Sequence, residues 1–284
     1  MSFMKFFLKE LCPILKGMQP KFENDDKRNN VAIIIEPRKI EMLEAVIRNT
    51  IFCLPYNEWN LHVFHSKANE SYIKSILPNW SFKMTNILDK GENINADQYN
   101  QLFKKKHFWN KIKEENILIF QHDSAILHSN ILPYMNYPFI GSPLLNNLSK
   151  TPKNFGMNGG LSFRKRTVML ECIDKVTSSD VNNYRIKYDK KSIFDNVCGC
   201  PIEEVHECSN TIKVIPEDVY FSHAVEILGY KTPSFPKSLE FSSDEYINHM
   251  SFGMHGFQYG RIPKKDLVIM IKNSMLRNIY FMNK

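Results

Sequence analysis

A chain of 284 residues that is 43% apolar and 24% charged can build one large mixed domain or two small ones, and its composition excludes global disorder. Its formal net charge of +7 attracts anions in general, but no long Arg/Lys run, zinc-finger spacing or RNA-binding aromatic motif accompanies that charge, so nucleic acid is not an expected partner. No stretch has the length of a transmembrane helix, and Met1–Leu15, broken by Lys9 and Glu10, makes a poor signal peptide; a cytoplasmic protein is expected, with an amphipathic end leaving room for peripheral membrane contact.

Residues 1–30 read as a helix-and-linker extension, because 16–30 (KGMQPKFENDDKRNN) is polar and rich in turn formers. Val31–Glu36 is a short unbroken apolar run that suits a central strand covered on both faces. A helical stripe follows at Ile40, Leu43, Val46 and Ile47. Leu61–Phe64 predicts a second strand, Asn69–Leu77 a helix, and Trp80–Met84 a third strand, after which the polar stretch 85–98 reads as a loop. Ala96–Lys113 predicts one or two helices and Ile117–Phe120 the next central strand, an order that implies a parallel sheet with helices outside.

The second half changes character. A Gly/Asn loop precedes a short extended run at Leu161–Phe163, and Arg166–Val176 predicts a helix. Residues 177–210 form a polar excursion, Thr211–Ile215 an extended segment, Val219–Leu228 a helix, and 232–243 a turn-rich stretch. Asp266–Phe281 predicts a final amphipathic helix packed on the domain through Leu267, Ile271, Met275 and Ile279. Cys12, Cys53 and Cys172 sit in apolar surroundings and read as buried thiols. Cys198, Cys200, His206 and Cys208 form Cys-x-Cys-x5-His-x-Cys, for which zinc, a local disulfide and ordinary loop cysteines are all open.

Four places combine reactive groups with abrupt element ends. Gln121-His122-Asp123-Ser124 follows the Ile117–Phe120 strand, where open parallel sheets bind ligands; Asp123 is a hard oxygen ligand or, equally, a helix or turn cap. Gly156–Gly160 allows close backbone approach to a ligand, or simply a tight turn. Glu217 and Asp218 open a helix-like run, one carboxylate capping it while the other faces a cleft, or both merely capping. His255, flanked by Gly253 and Gly256, is a candidate for metal or phosphate.

These places, in this order, resemble the DUF5672 family, a glycosyltransferase-like group. The blocks that carry the resemblance are VAIIIEPR (31–38), FW (108–109), LIFQHDSAI (118–126), YPFIGSP (137–143), NGGLSFRKR (158–166), EDVYFS (217–222), FSSDE (241–245) and FGMH (252–255). The resemblance implies an α/β fold over 31–257, a GT-A-like Rossmann-type mixed sheet flanked by helices; outside it, the apolar spacing makes 258–284 a C-terminal amphipathic helix packed on the domain. It implies Mn²⁺ or Mg²⁺ held by Asp123 and His255, although Ala125 stands where a full Asp-x-Asp motif has its second acid. It implies Asp218 as general base with Glu217 as runner-up, and donor or acceptor contacts from Glu36, Arg38, Gln121, Ser124, Asn158, Gly159, Gly160 and Arg164.

The implied reaction moves a hexose from a UDP- or GDP-sugar to a glycan or other hydroxyl, with inversion and metal dependence. The rival readings are a non-catalytic glycan- or nucleotide-binding protein and a metal-dependent nucleotide-sugar hydrolase.

Overall fold

The structure is a computed structural model that describes residues 6–55, 57–88, 93–144, 155–188, 215–257 and 262–276. A π-helical turn, Phe6–Leu11, leads into the helix Cys12–Met18; then come β1 (Phe22–Glu23), β2 (Asn30–Ile35), the helix Leu43–Cys53 and β3 (Trp59–Ser66). The helix Glu70–Ile76, β4 (Trp80–Ser81), β5 (Lys83–Leu88), the helices Ala96–Phe103 and Lys106–Trp109, β6 (Asn116–Phe120) and β7 (Ala125–Ile126) follow. The second half holds β8 (Phe139–Pro143), β9 (Met157–Lys165), the helices Arg166–Lys175, Ser178–Tyr188, Glu217–Ile227 and Phe235–Phe241, β10 (Ser242–Ser243), β11 (Gly253–Met254) and the helix Lys264–Asn273.

A six-stranded sheet runs in the order β5-β3-β2-β6-β9-β8. Its first four strands are mutually parallel, and β9 is antiparallel to both β6 and β8. The two-residue period of a strand divides each apolar run between the faces. Val31, Ile33 and Ile35 join Ile117 and Ile119 in one core with Phe103, Trp109, Met169 and Phe221. Ala32 and Ile34 join Leu118 and Phe120 in the other, with Phe7, Leu11, Val46, Ile47, Leu267 and Met270. Buried faces on both sides explain why β2 and β6 read as unbroken apolar runs, and the architecture is a mixed α/β sheet flanked by helices.

Several elements differ from the sequence reading. The stretch 16–30, expected as a linker, is tied to the sheet. Asn24 exchanges two hydrogen bonds with the Leu61 backbone (2.9 and 3.0 Å), as a strand residue would, and β1 pairs with β4. The strand expected at Trp80–Met84 is two strands in different sheets, and β5 runs on to Leu88 through part of the expected loop. Its polar composition suits a half-buried edge strand. The Gly156–Gly160 loop is largely strand, since β9 begins at Met157. A helix, Phe235–Phe241, lies within the turn-rich 232–243; its prolines mark a helix start, with Ser234 as N-cap. The final helix ends at Asn273 and buries Leu267 and Met270.

Cys12, Cys53 and Cys172 are buried free thiols. Cys198, Cys200, His206 and Cys208 lie outside the described residues. Among the described residues, no helix is long and apolar enough to cross a membrane.

Candidate functional site

A cavity of about 420 Å³ opens at the carboxyl ends of β2 and β6, where parallel strands point their last residues away from the sheet. Glu36, Pro37 and Arg38 come from the end of β2, and Gln121 and His122 from the end of β6. Asn158, Gly159 and Gly160 come from the start of β9, and Pro216, Glu217 and Asp218 from the head of the Glu217–Ile227 helix. Asn95, Tyr99, Asn100 and His255 complete the wall.

The β6 end is held by long-range bonds. The buried Asn49 side chain accepts from Ile126 N (2.8 Å) and donates to Ile126 O (3.0 Å). Ser124 Oγ accepts from Gln121 N (3.1 Å) and donates to Gly160 O (3.0 Å), so it bridges β6 to β9 from behind the wall. Asp123 is also behind the wall, fully buried, and neither of its carboxylate oxygens accepts a well-formed hydrogen bond. Its cationic neighbour is His255, with Nε2 3.3 Å from Asp123 Oδ1.

His255 touches groups on both ring nitrogens. Nδ1 lies 3.2 Å from Asp244 Oδ2, and Nε2 lies 3.1 Å from Gln121 Oε1. Burial by itself lowers the imidazole pKa, but Asp123 and Asp244 together outweigh it and raise it to about 9. Burial likewise pushes Asp123 up, and His255 reverses this and holds the carboxyl below its ordinary value. A Cβ on Gly160 would stand 2.1 Å from His255 Nε2, so only glycine lets β9 pass beneath the ring.

The second glycine serves a different contact. A Cβ on Gly159 would meet Glu217 Oε1 at 2.5 Å and Arg164 Nη2 at 2.7 Å. Arg164 is fully buried and binds Glu217 through two hydrogen bonds, Nη1 to Oε2 (2.6 Å) and Nη2 to Oε1 (2.9 Å). Its guanidinium also lies 4.8–5.6 Å from the ring centroids of Phe103, Phe139 and Phe221. Glu217 is therefore committed to Arg164, and its backbone N donates to Asn100 Oδ1 (3.0 Å).

Asp218 is half-buried on the cavity wall. Oδ2 accepts from Gly159 N (3.0 Å) and Oδ1 from Val219 N (2.8 Å). Burial first, and the neighbouring Glu217 charge second, raise its pKa to about 6 against these two bonds. At the far side Arg38 clamps Glu36, with Nε to Oε1 at 2.7 Å and Nη2 to Oε2 at 2.8 Å. His122 Nδ1 sits 3.4 Å from Glu36 Oε2, but burial lowers its pKa despite Asp123 and Glu36, so this is a neutral contact and not an ion pair.

Asp123 and His255 would fit a divalent cation only in exchange for the proton that His255 Nε2 holds between them. Their 3.3 Å separation suits two adjacent ligands each about 2.1 Å from one ion. Two buried carboxylate oxygens without hydrogen bonds also leave Asp123 with acceptor capacity to spare. No grouping of three or more His, Cys, Asp or Glu among the described residues has metal-site geometry.

The family model described as "Protein of unknown function (DUF5672)" matches residues 83–255, more than half of the chain. The chain belongs to the DUF5672 family. Of the DUF5672 site blocks, those from Gln121 to His255 fall inside the matched stretch, whereas Glu36 and Arg38 precede it. No curated protein sequence matches.

Among solved structures, mouse xyloside xylosyltransferase 1 in its apo form is similar at 10% identity and a TM-score of 0.48, over 82% of this chain and 100% of that one. The apo glycosyltransferase GlyE of Streptococcus pneumoniae TIGR4 gives 7% and 0.45, over 89% and 62%. The 4-diphosphocytidyl-2C-methyl-D-erythritol synthase of Anaerococcus prevotii DSM 20548 gives 10% and 0.35, over 58% and 85%. All three scores lie below 0.5, so these likenesses assign neither fold nor activity to the chain.

In this DUF5672 chain the cavity gathers Glu36, Arg38, Gln121, Asn158, Gly159, Gly160, Glu217, Asp218 and His255. It leaves Asp123, Ser124 and Arg164 behind the wall. Four participants had no role in the sequence reading: Asp244 on His255, Tyr99, whose Oη accepts from Gln121 Nε2 (2.9 Å), Asn100, which accepts from Glu217 N, and Asn95 on the cavity wall. Asn95 left a local signal, the capping box it forms with Gln98, and Asp244 lies in the FSSDE block.

Proposed function

We propose that the protein is a metal-dependent glycosyltransferase that moves a hexose from a nucleotide-diphosphate sugar to a hydroxyl acceptor with inversion. The observation that carries this reading is Asp218: a carboxylate on the cavity wall with a pKa of about 6, ionised at neutral pH yet basic enough to take a proton. Its two backbone hydrogen bonds fix the carboxylate, and the Arg164–Glu217 pair fixes the helix that bears it.

Asp218 would accept the proton of the attacking hydroxyl. Asn158 and the Gly159–Gly160 backbone would position the sugar, and Glu36 with Arg38 the nucleoside, each at its place on the wall. Asp123 and His255 would hold Mn²⁺ or Mg²⁺. Such an ion, when bound, offsets charge on the diphosphate leaving group. Arg164 would support the site from behind rather than bind phosphate, because it is fully buried off the cavity wall and gives three of its five N–H donors to Glu217 and Ser162.

A thermal-shift series with UDP and GDP, each with and without Mn²⁺, tests the donor class. A stabilisation by one nucleotide that requires Mn²⁺ is expected; no nucleotide response would refute it. Asp218→Asn is expected to abolish hexosyl transfer while keeping nucleotide binding. A second reading, a non-catalytic nucleotide or glycan binder, draws on the burial of both Asp123 oxygens behind the wall. Tight nucleotide binding with no turnover across donor sugars is the result that favours it.

A further inference from the structure

The part of the wall with no role so far is the support behind His255. β10 and β11 run parallel, pairing Ser242 with Gly253 and Ser243 with Met254. The next residue on each strand is Asp244 and His255, so the pairing delivers a carboxylate and an imidazole to the same spot. His255 N donates to Ser243 O (2.9 Å) and continues the ladder by one bond.

The loop that returns from β10 is fastened before it reaches the ring. Ser243 Oγ accepts from Asn248 N (2.8 Å) and lies 3.1 Å from Ser251 Oγ, which donates to Gly253 O (2.8 Å). Ser243, Asp244 and Ser251 are all buried. A buried carboxylate on so rigid a support keeps one place.

Around the ring the contacts divide by nitrogen. Asp244 Oδ2 meets Nδ1, whereas Asp123 Oδ1 and Gln121 Oε1 meet Nε2 on the cavity side. Gly160 lies against the Nε2 edge with no space for a methyl group. An imidazole that donates from one nitrogen to a carboxylate has its ring orientation set and its other nitrogen aimed.

We propose that Asp244 is a positioning residue for His255, fixing the imidazole so that Nε2, and not Nδ1, is presented to Asp123 and Gln121. The consequence for metal affinity rests on the glycosyltransferase reading above; the ring orientation does not.

Two variants and two readouts test it. In wild-type protein the His255 Nδ1–H should give a slowly exchanging ring resonance in ¹⁵N-edited NMR, assigned to His255 by its loss in His255→Gln and to Nδ1 rather than Nε2 by its long-range couplings to the ring C–H protons. Asp244→Ala should abolish that protected resonance, and Asp244→Asn, which keeps an acceptor oxygen, should restore it. Mn²⁺ affinity, read by electron paramagnetic resonance on the folded protein, should fall about 10- to 100-fold in Asp244→Ala and recover in part in Asp244→Asn.

A merely structural Asp244 would lower the melting temperature of Asp244→Ala and leave both readouts of the folded protein unchanged; that result overturns the proposal. So does a wild-type His255 without a protected Nδ1–H. A protected Nδ1–H lost in Asp244→Ala, in a protein that never binds Mn²⁺, upholds the positioning role and overturns the metal reading instead.

Discussion

Replacing Asp218 by Asn removes a charge that the fold holds at a cost. Its carboxyl pKa rises from an ordinary 3.8 to about 6, so the anion is disfavoured in the folded state by about 3 kcal/mol. Against that gain stands a loss. Gly159 N and Val219 N each donate to a different carboxylate oxygen, and an amide offers only one. Leaving one buried donor unmatched costs about 1–2 kcal/mol.

The net effect is a variant more stable than wild type by about 1–2 kcal/mol at pH 8. The sign follows from linkage. A raised folded-state pKa contributes stability that is fully present below 3.8 and is lost as pH rises through about 6. The variant's advantage should therefore vanish or reverse near pH 4 and reach its plateau above pH 7. Urea unfolding of both proteins at pH 4, 6 and 8 reads this directly. A stability difference that is flat across that range refutes the reasoning about Asp218, whatever the variant does to turnover. If Asp218 also acts as base, wild-type kcat/KM should fall tenfold per pH unit below about 6.

Arg164→Met should destabilise by about 3–5 kcal/mol in urea unfolding, because it strands a buried Glu217 carboxylate; the double variant Arg164→Met/Glu217→Leu should recover much of that loss. Gly160→Ala should lower the melting temperature by the equivalent of about 1–3 kcal/mol and abolish any Mn²⁺-dependent nucleotide response, since the new methyl group displaces the His255 ring. Asn95→Ala should cost about 1 kcal/mol by chemical denaturation, with faster hydrogen exchange at the Gln98 amide that loses its cap.

The strands at the centre of the sheet were legible because burial on both faces writes itself as an unbroken apolar run, in β2 as in β6. The edge strand β5 was not, since a half-buried strand needs no such run and KMTNIL reads as polar. Gly159 and Gly160 drew attention as glycines, yet the reason for them is tertiary. Their Cβ positions are taken by Glu217 and His255, residues far along the chain. No local pattern separates a turn glycine from a strand glycine that clears room for a side chain.

Arg164 shows the same limit from the polar side. An arginine after a glycine-rich segment is equally suited to phosphate or to carboxylate, and only the position of Glu217 decides between them. The role of Asp244 was not legible for a related reason: the residue stands in the FSSDE block, but it reaches His255 through a two-residue strand pairing that composition does not record.

The sheet order has a practical consequence for where this family can be cut. The matched stretch begins at Lys83, the first residue of β5, but among the described residues β5 pairs only with β3, and β2 separates β3 from β6. A protein trimmed to 83–255 would therefore keep β5 with no neighbour and leave an edge of β6 bare, with the apolar residues of both faces exposed to water. Similarity and sheet integrity mark different borders here, because β2 and β3, which complete the sheet between β5 and β6, precede the matched stretch.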